Sequence, residues 1–144
     1  MGDLSQQEIS DFLSEPRVAH LATVRPDGRP HLAPIWYMEE DGKAYVITGP
    51  NAVRTRNVRQ NPTVSLSIAT DQRPFKYVIL EGEGRLSKDN VNQVTERICV
   101  RCQGPEEGLT YARRIIEKGI AQVLEVKIQR VISWDGTGSD GRER

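Results

Sequence analysis

"AHLATVRPDGRPHLAPIWYMEEDGKAYVIT", residues 19–48, is the stretch on which the fold turns. Apolar residues alternate in it with a period of two, interrupted by Pro26-Asp27-Gly28-Arg29 and Glu40-Asp41-Gly42-Lys43. Asp-Gly pairs accept the positive φ angles that tight hairpin connections require. The stretch therefore reads as three antiparallel strands: "RVAHLATVR", "PHLAPIWYM" as a continuous return strand, and "AYVIT". On the first strand Val18, His20, Ala22 and Val24 share one face, so His20 is expected to be a satisfied interior residue.

The alternation ends at "TGPNAVRTRNVRQNP", residues 48–62, which holds three arginines and no acid. This reads as a short helix over 51–60, with Asn51 able to cap it and Pro62 to stop it. A helix N-terminus attracts anions, because its first amides are unpaired and the dipole is positive there. Arg54 falls in the first turn and can direct two donors at phosphate oxygens. Arg56 lies on another face, and Arg59 is expected on the solvated side. Thr48 and Asn51 offer further donors, and Gly49 permits close approach to the backbone. A basic helix that merely faces water is the competing reading.

Ser5-Gln6-Gln7-Glu8 is a capping box, with Leu4 and Ile9 spaced as a hydrophobic staple for a helix ending before Pro16. "TVSLSIAT" (63–70) alternates with Val64, Leu66 and Ile68 inward, and "YVILEGEGRLS" is a long strand. Gly82 and Gly84 on one face of it imply a bend or a close backbone approach. Ser87 is expected to cap a helix with Val91, Val94, Ile98 and Cys102 on its apolar stripe. A last helix starts at Pro105, carries Glu106 and Glu107 at its positive end, and stops at Gly119. "AQVLEVKIQRVISW" closes the series, with Leu124, Val126, Ile128 and Ile132 on one face. About six strands, Asp-Gly turns and small helices imply a mainly β protein, a closed or nearly closed barrel with peripheral helices. Residues 1–136 read as one domain and 137–144, "TGSDGRER", as part of a loose tail.

The 144 residues contain 20 Lys and Arg against 20 Asp and Glu, a formal net charge of zero. The chain as a whole is thus not an electrostatic nucleic-acid binder, and any basic function is local. No basic stretch followed by an apolar run opens the sequence, and no apolar run is long enough to cross a bilayer. A cytoplasmic protein without membrane contact is expected. Cys99-Val-Arg-Cys102 lacks a second pair or a nearby histidine, so packing is favoured over zinc or redox chemistry and no metal site is expected. His31 begins a strand beside Arg29 and is placed to touch a ligand. Trp36, Tyr37, Tyr77 and Trp134 are either packing residues or walls for a flat ring system. No nucleophile elbow, zinc-protease or phosphate-loop motif occurs, so no catalytic side chain is assigned, and in an enzyme a cofactor would carry the reaction.

In order, spacing and turn positions, residues 19–48 resemble the opening strands of the flavin and deazaflavin oxidoreductase superfamily that includes pyridoxamine 5′-phosphate oxidase. "RTRNVRQNPTVSLSI" resembles its phosphate segment, "YVILEGEGRL" its Gly-rich fifth strand, and "VISWDG" a C-terminal signature of a deazaflavin-using branch. The resemblance spans about residues 5–136. It implies a six-stranded split β-barrel of the FMN-binding type, working as a homodimer with two cofactor sites at the subunit interface. The cofactor ring would lie along His31, Leu32, Ala33, Pro34, Ile35 and Trp36. Thr48, Gly49, Arg54 and Asn57, with Thr55 and Arg56 beside them, would serve the phosphate end. Tyr77 and Trp134 would complete a site, with the partner subunit as one source. The deazaflavin F420 is placed ahead of FMN, and the implied activity is hydride transfer to an unsaturated or carbonyl-bearing small molecule. A non-catalytic flavin or haem carrier on the same fold is the alternative, and a small-barrel nucleic-acid binder is disfavoured by the neutral charge.

Overall fold

The computed structural model describes residues 2–136; the tail expected over 137–144 lies outside the described residues. Among the described residues the chain forms α1 (Gln6–Ser14), β1 (Ala19–Val24), β2 (Pro30–Ile35), β3 (Met38–Glu40), β4 (Lys43–Thr48) and α2 (Val53–Gln60). There follow β5 (Thr63–Ala69), β6 (Lys76–Ser87), α3 (Val91–Gln103), α4 (Pro105–Lys118) and β7 (Gln122–Asp135). All seven strands join one antiparallel sheet in the order β2-β1-β5-β6-β7-β4-β3.

The expected six strands become seven because "PHLAPIWYM" is not continuous. It breaks at Trp36 and Tyr37, and its halves form opposite edges of the sheet, β2 paired with β1 and β3 with β4. The two edges follow each other along the chain but are not neighbours in the sheet, so among the described residues no hydrogen-bonded ladder closes it into a barrel. At the break Tyr37 turns into the core, where it is 0% exposed under the Arg101 guanidinium, 5.1 Å from the ring centre. Burial pushes its phenol pKa up, and the Arg101 charge opposes that shift. The turn at Asp41 and Gly42 has φ of 53° and 77°, the double positive pair that a two-residue hairpin demands.

The core is the inward face of this sheet: Leu21 from β1, Leu66 and Ile68 from β5, Val78 and Leu80 from β6, Leu124 and Val126 from β7. Burying each such aliphatic side chain contributes roughly 1.5–3 kcal/mol. On β1 the interior face is Ala19, Leu21 and Thr23, while His20 is exposed, which reverses the expectation for that strand. Period two separates the faces of a strand but does not say which one meets the core. Here both faces carry small or apolar residues, so the pattern is ambiguous.

Ile132 also departs from its expected face. The β6–β7 register jumps between Glu81↔Arg130 and Gly82↔Ile128, leaving Gln129 without a partner. This bulge shifts the phase of β7. Leu124, Val126 and Ile128 share the core face with Leu86, Gly84 and Gly82, but beyond the bulge Val131 and Ser133 pair with Leu80 and Val78. Ile132 and Trp134 consequently fall on the outer face with Ile79 and Tyr77. The bulge stands beside Gly82, where a Cβ would collide with the Lys127 carbonyl oxygen, so the close approach expected at this glycine is present.

Helix ends follow local chemistry. Ser5 and Glu8 form the capping box of α1, with the Glu8 backbone N–H donating to Ser5 Oγ at 3.1 Å and the Ser5 N–H to Glu8 Oε1 at 2.9 Å. Arg101 donates to the carbonyls of Leu13, Ser14 and Glu15 at 2.7–3.0 Å, tying α3 to the end of α1. The cap of α3 is Asn90, at φ 55°, rather than Ser87, whose Oγ accepts from the Asp89 N–H in the preceding turn. α4 begins at Pro105 and ends at Gly119 as expected. Gly108 lets α4 press on α3: a Cβ there would lie 2.6 Å from the Cys99 carbonyl oxygen and from Val100 Cα. Among the described residues no helix is long and apolar enough to cross a membrane.

Candidate functional site

The arginine segment forms an eight-residue helix whose N-cap is Ala52, with no side-chain cap bond; Asn51 lies outside it and is exposed. The helix is anchored instead by buried polar side chains. Thr55 Oγ1 donates to the Gly49 carbonyl at 2.6 Å and lies 2.7 Å from Thr48 Oγ1. Asn57 Nδ2 donates to Thr23 Oγ1 on β1 at 3.0 Å. The side chains of Thr48, Thr55 and Asn57 are thus buried and already bonded within the protein. They set the pose of α2, and Gly49 serves as an acceptor in that arrangement. Arg56 and Arg59 are exposed.

Arg54, the second residue of α2, faces a cavity of about 360 Å³. Pro34, Ile35 and Trp36 line it from the end of β2, with Val18 and Ile47 on the strand side. Ile98 and Cys99 from α3 and Tyr111 and Ile115 from α4 form the opposite wall. Trp36 and Tyr111, both in its lining, meet edge to face, ring centres 5.7 Å apart at 65°. The Arg54 Nε is enclosed without a hydrogen-bond partner, and burial alone pulls the guanidinium pKa down from its ordinary value. A half-buried cation without a countercharge is costly unless an anion joins it. An anionic group attached to an apolar or aromatic body fits this donor set, and a phosphorylated ring cofactor is of that class.

The structure thus brings together Pro34, Ile35, Trp36 and Arg54 of the expected residues. His31 sits farther along β2 with its Nδ1 enclosed and unpartnered, Leu32 is 63% exposed, and Ala33 packs against the core. Tyr77 and Trp134 stack on the outer sheet face, ring centres 5.9 Å apart, and neither lines the cavity. The wall formed by α3 and α4 is absent from the sequence-based site. Spacing marks only Ile98 among them, as part of an apolar stripe, and only tertiary packing brings these residues to the cavity that Arg54 faces. Among the described residues, no group of three or more His, Cys, Asp or Glu is placed to hold a metal ion.

The cysteine pair needs one correction: Cys99, 2% exposed, is the core residue, and Cys102 is only half-buried. Burial pushes both thiols up, so neither is an activated thiolate. Cys99→Ser is expected to cost about 1–3 kcal/mol in chemical denaturation, because its hydroxyl would be buried without a designed partner. Cys102→Ser should cost well under half of that. The reverse ranking would move the core face of α3.

A family model for pyridoxamine 5′-phosphate oxidase matches residues 5–135. The chain belongs to that family. The structure is similar to the conserved hypothetical protein Rv2991 of Mycobacterium tuberculosis, at 26% identity and TM-score 0.82, covering 99% of this chain and 93% of that one. It also resembles an F420 reductase, at 21% identity and TM-score 0.69, covering 85% and 94% of the two chains. A curated relative, the haem oxygenase HutZ of Vibrio cholerae, is 29% identical over 92 residues, or 64% of this chain. The chain matches about half, 51%, of that relative's length. A solved structure of HutZ, described as a haem storage protein, superposes with TM-score 0.74 at 19% identity, covering 92% and 96%.

Proposed function

We propose that the protein is an oxidoreductase that holds a phosphorylated deazaflavin or flavin, F420 ahead of FMN, in the cleft between β2 and α2. The observation that carries this reading is the half-buried Arg54 guanidinium, its Nε enclosed without a partner, in the same cavity as Pro34, Ile35 and Trp36. Arg54 and the first amides of α2 would hold the phosphate, and Pro34, Ile35 and Trp36 would position the ring. When bound, such a ring supplies hydride transfer, two electrons with one proton, to an unsaturated or carbonyl-bearing acceptor. The chain itself orients the reactants and, through Trp36, Ile98 and Tyr111, keeps water away from them. No side chain is assigned as a nucleophile.

A homodimer belongs to this reading. The outer sheet face carries Leu32 at 63% exposure beside Ala22, and Ile79 beside Ile132, a surface one small domain leaves uncovered. A stable dimer on it would bury about 2,000 Å² or more. Haem carriage is the second reading, favoured by the likeness to HutZ.

Equilibrium titration with F420, FMN and haem, followed by absorbance, tests the proposal. F420 or FMN is expected to bind more tightly than haem, and the reduced bound cofactor to be reoxidised by added enones or quinones. Preferential haem binding, or bound cofactor inert to every acceptor, would favour the carrier. Sedimentation of the same sample at micromolar concentration should give a dimer; a monomer that holds cofactor tightly would remove the interface site.

A further inference from the structure

We infer that the acceptor accommodated in this cavity is uncharged and apolar, and that α3 and α4 select it. The inference rests on the assignment of Arg54 to the cofactor phosphate. With that guanidinium engaged, the residues of α3 and α4 that line the cavity carry no formal charge: Ile98 and Cys99 on α3, Tyr111 and Ile115 on α4. The buried Cys99 thiol stays protonated and adds no negative charge. On that wall the Tyr111 hydroxyl is the neutral hydrogen-bonding side-chain group, suited to a single carbonyl. A carboxylate, sulfonate or phosphate on the acceptor would lose its hydration against hydrocarbon with no countercharge to meet it, and an unpaired buried charge is strongly disfavoured. Acceptors with a hydrocarbon or aromatic body and a single carbonyl therefore enter, and anionic ones are turned away. The selectivity lies in the helical wall, because the strand side and α2 are occupied with the cofactor.

Two fluorescent probes of one skeleton test this: neutral N-phenyl-1-naphthylamine and its sulfonated counterpart 8-anilinonaphthalene-1-sulfonate. On protein saturated with F420 or FMN, the neutral probe is expected to bind at least about tenfold more tightly. Without cofactor, Arg54 is free and the sulfonate should gain. Ile115→Lys places a cation in the wall and should tighten the sulfonate by about tenfold on protein kept saturated with cofactor. Should that variant not fold, Tyr111→Arg, at a position 41% exposed, makes the same test at the mouth. Equal binding of the two probes by loaded protein, or a ratio that neither folded variant moves, would overturn the inference. Failure of the protein to bind either cofactor would overturn the Arg54 assignment, and this inference with it. The cofactor titration thus separates the two failures.

Discussion

Arg54→Ala is expected to weaken F420 or FMN binding about ten- to a hundredfold, the worth of roughly 1.5–3 kcal/mol for a hydrogen bond to a charged group. Riboflavin has the ring but no phosphate, so its affinity should change much less. Arg54→Lys should recover part of the loss, because an ammonium keeps the charge but not the planar fork. The structure strengthens the contrast with Arg59. Arg54 is partly enclosed with its Nε unpartnered, whereas Arg59 is an exposed residue of the same helix, so Arg59→Ala is the control for general charge effects. The variant should also fold well, since relieving an unpaired half-buried cation removes a cost from the ligand-free protein. Fluorescence titration of F420, FMN and riboflavin against folded variants decides the point. Equal losses for phosphorylated and unphosphorylated ligands, or a larger loss at Arg59, would move the phosphate contact elsewhere.

Gly82→Ala is expected to destabilise the fold by about 3 kcal/mol or more, at the upper end of what overpacking costs. The added Cβ would collide with the Lys127 carbonyl oxygen and lie 2.9 Å from its carbon, and backbone at the junction of β6, β7 and the bulge cannot step aside as a side chain can. Gly84→Ala is the built-in comparison. Its Cβ would meet Leu124 Cδ1 at 2.8 Å, the mobile end of a side chain, and the expected cost is about 1 kcal/mol. Both glycines lie on the same face of β6, yet their neighbours differ. Chemical denaturation of the two variants gives the ranking, and equal losses would mean that the bulge relaxes freely.

The local chemistry of the chain already determined most of the elements. Ser5 and Glu8, the Asp41-Gly42 turn, Pro105 and Gly119 each act through neighbours within a few residues, so their effects were legible without the fold. Arg54 was legible for the same reason: a position in the first turn of a helix is a local property. Which face of β1 meets the core, the break at Trp36 and Tyr37, and the phase shift at Gln129 were decided only by tertiary structure. Each depends on which strand lies alongside, and strand pairing joins residues far apart in sequence. The same holds for Thr55 and Asn57, whose polar groups have partners within the fold in Gly49, Thr48 and Thr23. It holds above all for the wall opposite Arg54. Of Ile98, Cys99, Tyr111 and Ile115, spacing places only Ile98 on an apolar stripe, and the hydrophobic effect that buries such stripes is non-directional. Only the close crossing of α3 and α4 at Gly108, and the seating of α3 against the end of α1 by Arg101, made a cavity of them.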